Sequence, residues 1–293
     1  MMDGQSLTRL PDTFSPNPML ILVTTPIGNL GDMPPRGVEA MQSADVVLCE
    51  DTRVTRKLTT RFGIETRLVP LHDHNEDQMI DGILRRLDEG QTVALVSDAG
   101  MPMISDPGYR LVRAVIEAGH RVSGVPGANA ALMALQLSGL PTDRFLFAGF
   151  PPAKTVGRKK WLDELAGVPA TLIFYESPNR LAASLADMEA VLGDRPSAVS
   201  RELTKQFEET RRGLLSELSA HYAEAGAPKG EICVCVGAPL PPAPSDDAEI
   251  DAALIAALAS QSVKQASAEV AKALNLSKRD VYQRALSLQK DRA

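Results

Sequence analysis

The stretch VALVSDAGMPMISDPG, residues 93–108, decides the fold. It begins as an apolar run, Val93 to Val96. It then breaks into Ser97-Asp98-Ala99-Gly100, and again into Ser105-Asp106-Pro107-Gly108. A strand that runs into small and acidic residues, then into a helix start, is how open α/β sheets build ligand crevices. Such turn residues leave backbone N–H groups free and permit positive φ at glycine. Asp98 sets one carboxylate at the strand's carboxyl end. The stretch reads as the floor of a small-molecule site; the plain alternative is a βα turn with an N-cap.

The flanking sequence repeats the pattern. On the amino side, 19–25 is an apolar strand entering the loop Pro26-Ile27-Gly28-Asn29, which is neither GxGxxG nor a P-loop. Pro34 and Pro35 suit the first turn of a helix reaching 44. A strand over 45–49 ends in Glu50-Asp51-Thr52-Arg53, and a helix over 55–62 stops at Gly63. A strand over 67–71 is followed by His72 to Glu76 and a helix over 76–89. On the carboxyl side come a helix over 109–118, a strand over 121–125, and Pro126-Gly127-Ala128-Asn129 opening a helix over 130–137. Gly139 to Pro141 end that helix near a domain junction. Five βα units imply a parallel sheet covered on both faces. Polar residues collect at its carboxyl edge: Asn29, Glu50 to Arg53, His72 to Glu76, and Asp98.

The second half changes rhythm. A strand over 144–150 precedes a basic segment with Lys154, Arg158, Lys159 and Lys160. A strand over 170–175 runs into Glu176 to Arg180 and a helix over 179–192. A strand over 197–200 leads into Arg201-Glu202-Leu203-Thr204-Lys205, then a hairpin arm over 206–212, a helix over 214–225 and a strand over 232–236. This is a mixed α/β domain with antiparallel pairing. Prolines over 238–245 mark a linker. Beyond it, Ser262 and Ser277 are N-cap candidates in a tail with helix-turn-helix spacing. The expected layout is a flexible arm (1–18), an N-terminal α/β domain (19–126), a C-terminal α/β domain (127–237), a linker (238–247) and a helical tail (248–293).

A chain of 293 residues exceeds one ordinary core. No apolar run approaches the ~20 residues of a membrane span, and 1–18 lacks a signal-peptide core. Cys49, Cys233 and Cys235 have no metal spacing and suit a reduced, cytoplasmic setting. With four histidines, no metal site is expected. The net charge of −6 argues against non-specific coating of nucleic acid, while leaving room for local basic patches. No Ser-His-Asp order or Cys-His pair stands out. The chemistry expected is binding plus positioning, helped by a carboxylate or lysine. Asp98 and Asn129 in the first half, and Glu176, Glu202 and Lys205 in the second, are the cleft candidates.

A set of motifs occurs in fixed order: Thr25 to Leu30 (TPIGNL), Cys49 to Arg53 (CEDTR), His74-Asn75-Glu76, SDAG…ISDPG, PGANA, Phe174 to Pro178 (FYESP) and Arg201 to Lys205 (RELTK). In these the chain resembles the ribosomal RNA small-subunit methyltransferase I family, among the tetrapyrrole-methylase-like, class III methyltransferases. The resemblance covers about residues 19–237 and extends to the helical tail. It implies two α/β domains, a homodimer, and S-adenosyl-L-methionine in the cleft between the domains. It also implies direct methyl displacement onto the ribose 2′-oxygen of cytidine 1402 in 16S rRNA, with the 30S subunit as partner. By motif position the cofactor meets Pro26 to Gly28, Asp98, Ala99, Gly100, Ile104, Ser105, Ala128, Asn129, Ala130 and Tyr175. Glu202 with Lys205 is the first candidate pair for handling the hydroxyl proton, and Asp51 with Arg53 the second. Arg53, His74, Asn75, Lys154, Arg158, Lys159, Lys160, Arg180, Arg211 and Arg212 are candidate RNA contacts, with Lys278, Arg279 and Arg284 in the tail. One departure is visible: the family's loop reads SDAGTP, and Met101 stands where threonine is expected.

Three rivals remain at this point. A methyltransferase acting on a small tetrapyrrole shares the cofactor loops; the EDTR and HNE motifs and the basic segment favour RNA. A nicotinamide-dependent oxidoreductase lacks its GxGxxG here. A non-catalytic RNA-binding protein would not need the cofactor loops.

Overall fold

The computed structural model describes residues 18–240, 247–274 and 276–290. The arm reading and most of the linker reading lie outside them, as does Asn275.

The first half builds β1 (Met19–Val23), α1 (Pro35–Ser43), β2 (Val46–Cys49), α2 (Thr52–Phe62), β3 (Leu68–Pro70), α3 (Glu76–Asp88), β4 (Val93–Val96), α4 (Tyr109–Glu117) and β5 (Arg121–Val125). The strands form one parallel sheet in the order β3-β2-β4-β1-β5. Met19, Ile21 and Val23 enter one core, and Leu20 and Leu22 enter the other. Ala94 and Val96 likewise oppose Val93 and Leu95. Each central strand is therefore apolar on both faces, the mark of a parallel sheet covered twice.

From β1 the chain crosses β4 to reach β2, and from β4 it crosses β1 to reach β5. The crossovers leave in opposite directions, so the carboxyl ends of β1 and β4 flank a topological switch point. Their loops are tied there: Thr25 and Gly100 exchange backbone hydrogen bonds of 2.9 and 3.1 Å.

The second half carries α5 (Ala130–Ser138), β6 (Phe145–Gly149), α6 (Thr155–Leu165), β7 (Thr171–Glu176), α7 (Leu181–Leu192), β8 (Pro196–Arg201), β9 (Glu209–Leu214), α8 (Leu215–Ala225) and β10 (Ile232–Val236). Its sheet runs β6-β7-β10-β8-β9. β6 and β7 are parallel, and the other pairings are antiparallel. α5 packs on this second sheet. Its Ala131, Ala134 and Leu135 share a core with Ile173, Leu203, Cys233 and Cys235. Ile27, from the loop after β1, joins the same core and anchors the first half to the second sheet. Burial pushes the Cys235 thiol up to about 12 and the Cys233 thiol higher still, so both behave as apolar packing.

The α/β class expected from the sequence is the one observed. One local reading is corrected. α2 starts at Thr52 rather than at 55, because Asp51 accepts the Arg53 N–H as its N-cap. The hairpin arm expected over 206–212 is present as β9, set at Glu209–Leu214 and paired antiparallel to β8 over six residues.

Residues 1–239 form one compact unit and 240–293 another. The second unit holds α9 (Asp247–Leu258), α10 (Val263–Ala273) and α11 (Lys278–Lys290). Leu254, Val270, Val281 and Ala285 form its core, and Ser262 caps α10. Among the described residues no helix is long and apolar enough to cross a membrane.

Candidate active site

The loops after β1, β4 and β5 meet the edge of the second sheet around a cavity of about 430 Å³. Of the residues assigned to a cofactor, Asp98, Ala99, Gly100, Ile104, Ser105, Asn129, Ala130 and Tyr175 line it. Pro26 and Gly28 line an adjoining cavity instead. Ala128 stands outside both linings, with its carbonyl beside Gly100.

The local geometry explains how these loops are held. Thr25 Oγ1 donates to the Ser97 carbonyl at 3.2 Å, and Ser97 Oγ donates to the Gly100 carbonyl at 3.1 Å. Gly100 has φ of 82°, and a side chain there would press on Ile27. Met103 and Ser105 also hold positive φ, 71° and 66°. Non-glycine residues adopt that region at a cost, and such residues cluster at binding loops. Asn129 caps α5 by accepting the Leu132 N–H at 2.9 Å, while its amide donates to the Met101 sulfur at 3.4 Å. Met101 thus lines the cavity with a thioether that still accepts a hydrogen bond.

The cavity has an acidic pole. Burial, the nearby Glu50 carboxylate and other acids raise the Asp106 carboxyl to about 6, against a bond from Ser97. Burial also raises Asp98, which accepts the Asp51 N–H at 3.2 Å, and Glu50. Clustered carboxylates in partial burial favour a cationic ligand, because a positive charge relieves both desolvation and repulsion. Apolar groups share the lining: Tyr175 stacks edge-on with Phe147 and Phe150, and Leu203 and Ile27 also face the cavity. Burial raises the Tyr175 phenol to about 12, so it is neutral.

The two proton-handling pairs differ. Asp51 is clamped by Arg53 at 2.6 Å, and those bonds hold its carboxyl at about 2. Lys205 Nζ sits 2.8 Å from both Glu202 and Glu231. Burial works against the Lys205 charge, but the two carboxylate bonds outweigh it and raise its pKa. The Lys205 bond in turn lowers Glu202. Lys205 is therefore a fixed cation. Its stem lies across Gly28, where a Cβ would overlap it, so the loop after β1 and the RELTK loop are in contact. Glu202 and Thr204 both hold positive φ.

Several candidate RNA contacts are placed elsewhere. Arg158 is corrected: its side chain is 2 % exposed, 2.6 Å from Asp187, and it also donates to the Pro152 and Ala153 carbonyls. It joins α6 to α7. Arg180 is half-buried, 3.2 Å from Glu176, and donates to the Pro151 carbonyl. Asn75 closes its own turn, accepting the His72 N–H at 2.8 Å and donating to the Pro70 carbonyl at 3.1 Å. Arg211 pairs with Glu209, Arg212 donates to the Leu137 carbonyl, and Arg284 pairs with Asp247 and Asp251 inside the tail. Arg53, His74, Lys154, Lys159 and Lys160 are exposed, as are Lys278 and Arg279.

Sequence reasoning missed Asp106 and Glu231 as site residues. In sequence Asp106 is a turn residue; its charge environment depends on Glu50, which arrives from another strand end. Glu231 carried one local signal, the preceding Gly230, where a Cβ would overlap the Glu202 carboxylate. Among the described residues no group of His, Cys, Asp and Glu could hold a metal ion.

The chain is similar to known proteins in both of its units. The tetrapyrrole (corrin/porphyrin) methylases match residues 19–219, and the RsmI C-terminal HTH domain matches 244–289. The ribosomal RNA small subunit methyltransferase I of Mesorhizobium japonicum is 50% identical over 92% of each chain. The protein of the same name from Escherichia coli O157:H7 is 46% identical over 92% of this chain and 95% of its own. Among solved structures, the uroporphyrin-III-C-methyltransferase of Thermus thermophilus superposes with a TM-score of 0.53. It is 21% identical and covers 75% of this chain and 94% of its own, a likeness of fold.

Proposed function

The chain belongs to the ribosomal RNA small subunit methyltransferase I family, within the tetrapyrrole methylases, and from that membership we propose how its crevice works. It is an S-adenosylmethionine-dependent methyltransferase of 16S rRNA. The finer reading is transfer to the ribose 2′-hydroxyl of cytidine 1402 in the 30S subunit, by a cytoplasmic homodimer. The observation that supports it is the cavity at the switch point, lined by Asp98 and Asp106 and by the apolar Ile27, Phe150, Tyr175 and Leu203.

The residues present fit the methyl donor. The cavity of about 430 Å³ is within the usual range for small-molecule sites. S-adenosylmethionine supplies, when bound, a methyl group activated by a sulfonium cation. Asp98 and Asp106 would complement its positive charges, and the backbone of 98–105 with Asn129 and Ala130 would hold its polar edges. Leu203, Ile27 and Tyr175 exclude water from the apolar lining, which strengthens every charge interaction inside.

Lys205 is the cation beside the accepting oxygen, fixed by Glu202 and Glu231. Glu202 is the first candidate to take the hydroxyl proton, with Asp51 the second. The proton becomes strongly acidic only as its oxygen is alkylated, so a carboxylate of low pKa is a sufficient acceptor. Exposed Arg53, His74, Lys154, Lys159 and Lys160 contact RNA, with phosphates as the partners of the cations.

Calorimetry with S-adenosylmethionine and tritium transfer to 30S subunits test this reading. The expected outcome is tight 1:1 binding and label in 16S rRNA. Label that enters a precorrin and not 30S subunits overturns it.

A further inference from the structure

Beside the crevice lies a second cavity of about 290 Å³. It shares Ile27, Asp98, Ala99 and Glu231 with the first, so the two have a common wall. The rest of its lining comes from the loop after β1, from α2, from Ser97 and from Lys205. Leu30 and Val54 stand half-exposed at its rim, and Leu58 is buried behind them.

Two polar features give this cavity chemistry. Lys205 is held over Gly28 with its ammonium fixed by two carboxylates. Thr55 is 3 % exposed, and its Oγ1 has no hydrogen bond of good geometry, its interaction being with the weakly bonding Cys49 thiol. A buried hydroxyl left in that state is costly until something bonds to it. Apolar walls, the Thr55 hydroxyl, the cations Lys57 and Lys205 and the shared carboxylates Asp98 and Glu231 match what a single nucleoside offers: a flat base with a polar edge, and a ribose. The volume is at the small end for ligand sites, too small for a tetrapyrrole macrocycle. Enzymes that act on one nucleotide within a structured RNA draw it out of its stack into a pocket of this kind.

We propose that this second cavity receives the acceptor nucleoside, with Leu30 and Val54 against the base, Thr55 on its polar edge and Lys205 beside the ribose. The proposal rests on the rRNA methyltransferase reading above.

Val54→Trp fills the cavity from its rim without touching the first cavity. Methyl transfer to 30S subunits is expected to fall by about 100-fold, as for a misplaced reactant, while calorimetric binding of S-adenosylmethionine is unchanged. A second measurement uses the wild-type protein with an rRNA hairpin carrying 4-thiouridine at the acceptor position. The photo-crosslink is expected on peptides containing 25–30 or 52–58. Near-normal transfer by Val54→Trp, or crosslinks confined to the second half, overturns the pocket while leaving the enzyme's function standing. No transfer to 30S subunits by the wild type overturns both together.

Discussion

Gly28 and Lys205 set the tightest constraint at the level of single residues. Gly28 has φ of 150° and faces the Lys205 stem. Gly28→Ala is expected to cost roughly 1–3 kcal/mol by overpacking, and pairing it with Lys205→Gly is expected to recover part of that loss in thermal melts. Identical melting of the single and double variants would refute the contact. Asp106 gives a pH signature. Its carboxyl titrates at about 6 in the fold against an ordinary 3.8. Between those values the folded state keeps a proton that the unfolded state has released. The ligand-free protein therefore loses stability as pH rises from about 4 to 6, and the loss is complete above 6. Asp106→Asn is expected to raise the melting temperature of the ligand-free protein at pH 7.5 and to weaken S-adenosylmethionine in calorimetry. Unchanged affinity would remove Asp106 from the cofactor site. Asp98 and Lys205 stand out as candidates from the motifs that contain them. The environment of Asp106 does not, because it is made by side chains from three separate strand ends.

The elements were legible wherever one local signal dominated. Gly63 and Gly139 stop α2 and α5 in the left-handed region, as their positions in the sequence suggest. α2 starts three residues earlier than expected because Asp51, a candidate proton acceptor, is also its N-cap. The HNE motif shows the same competition. Glu76 is buried and accepts the Leu111 N–H at 2.8 Å, holding the first turn of α4 just beyond the SDPG loop. Arg158 is the clearest case: a basic cluster reads as a phosphate site, but only tertiary structure reveals that one member faces Asp187. Arg158→Ala is expected to destabilise the fold by ~3–5 kcal/mol, the cost of a broken buried pair, measured by urea unfolding. Lys154→Ala and Lys160→Ala are expected to leave stability unchanged and to flatten the salt dependence of RNA binding. The reverse pattern would return Arg158 to the RNA interface.

The whole molecule is two sheets that share one crevice, followed by a separate helical unit. The crevice was legible because the five βα units fix where a parallel sheet opens. The second sheet's contribution, Leu203 and the Gly230–Glu231 corner, was not, because mixed sheets leave their order open until the strands pair. A chain ended at Pro239 is expected to bind S-adenosylmethionine as the full chain does, since the cavity lies wholly within 1–239. Loss of binding on that truncation would place part of the cofactor site in the tail. The central claim is that this crevice carries a methyl group to one ribose of 16S rRNA. Its most direct test is mass-spectrometric mapping of 16S rRNA after incubating the protein with S-adenosylmethionine and unmodified 30S subunits. One added methyl on the 2′-oxygen of cytidine 1402, absent with Lys205→Ala, is the predicted result; a methyl elsewhere, or full modification by Lys205→Ala, would contradict the account.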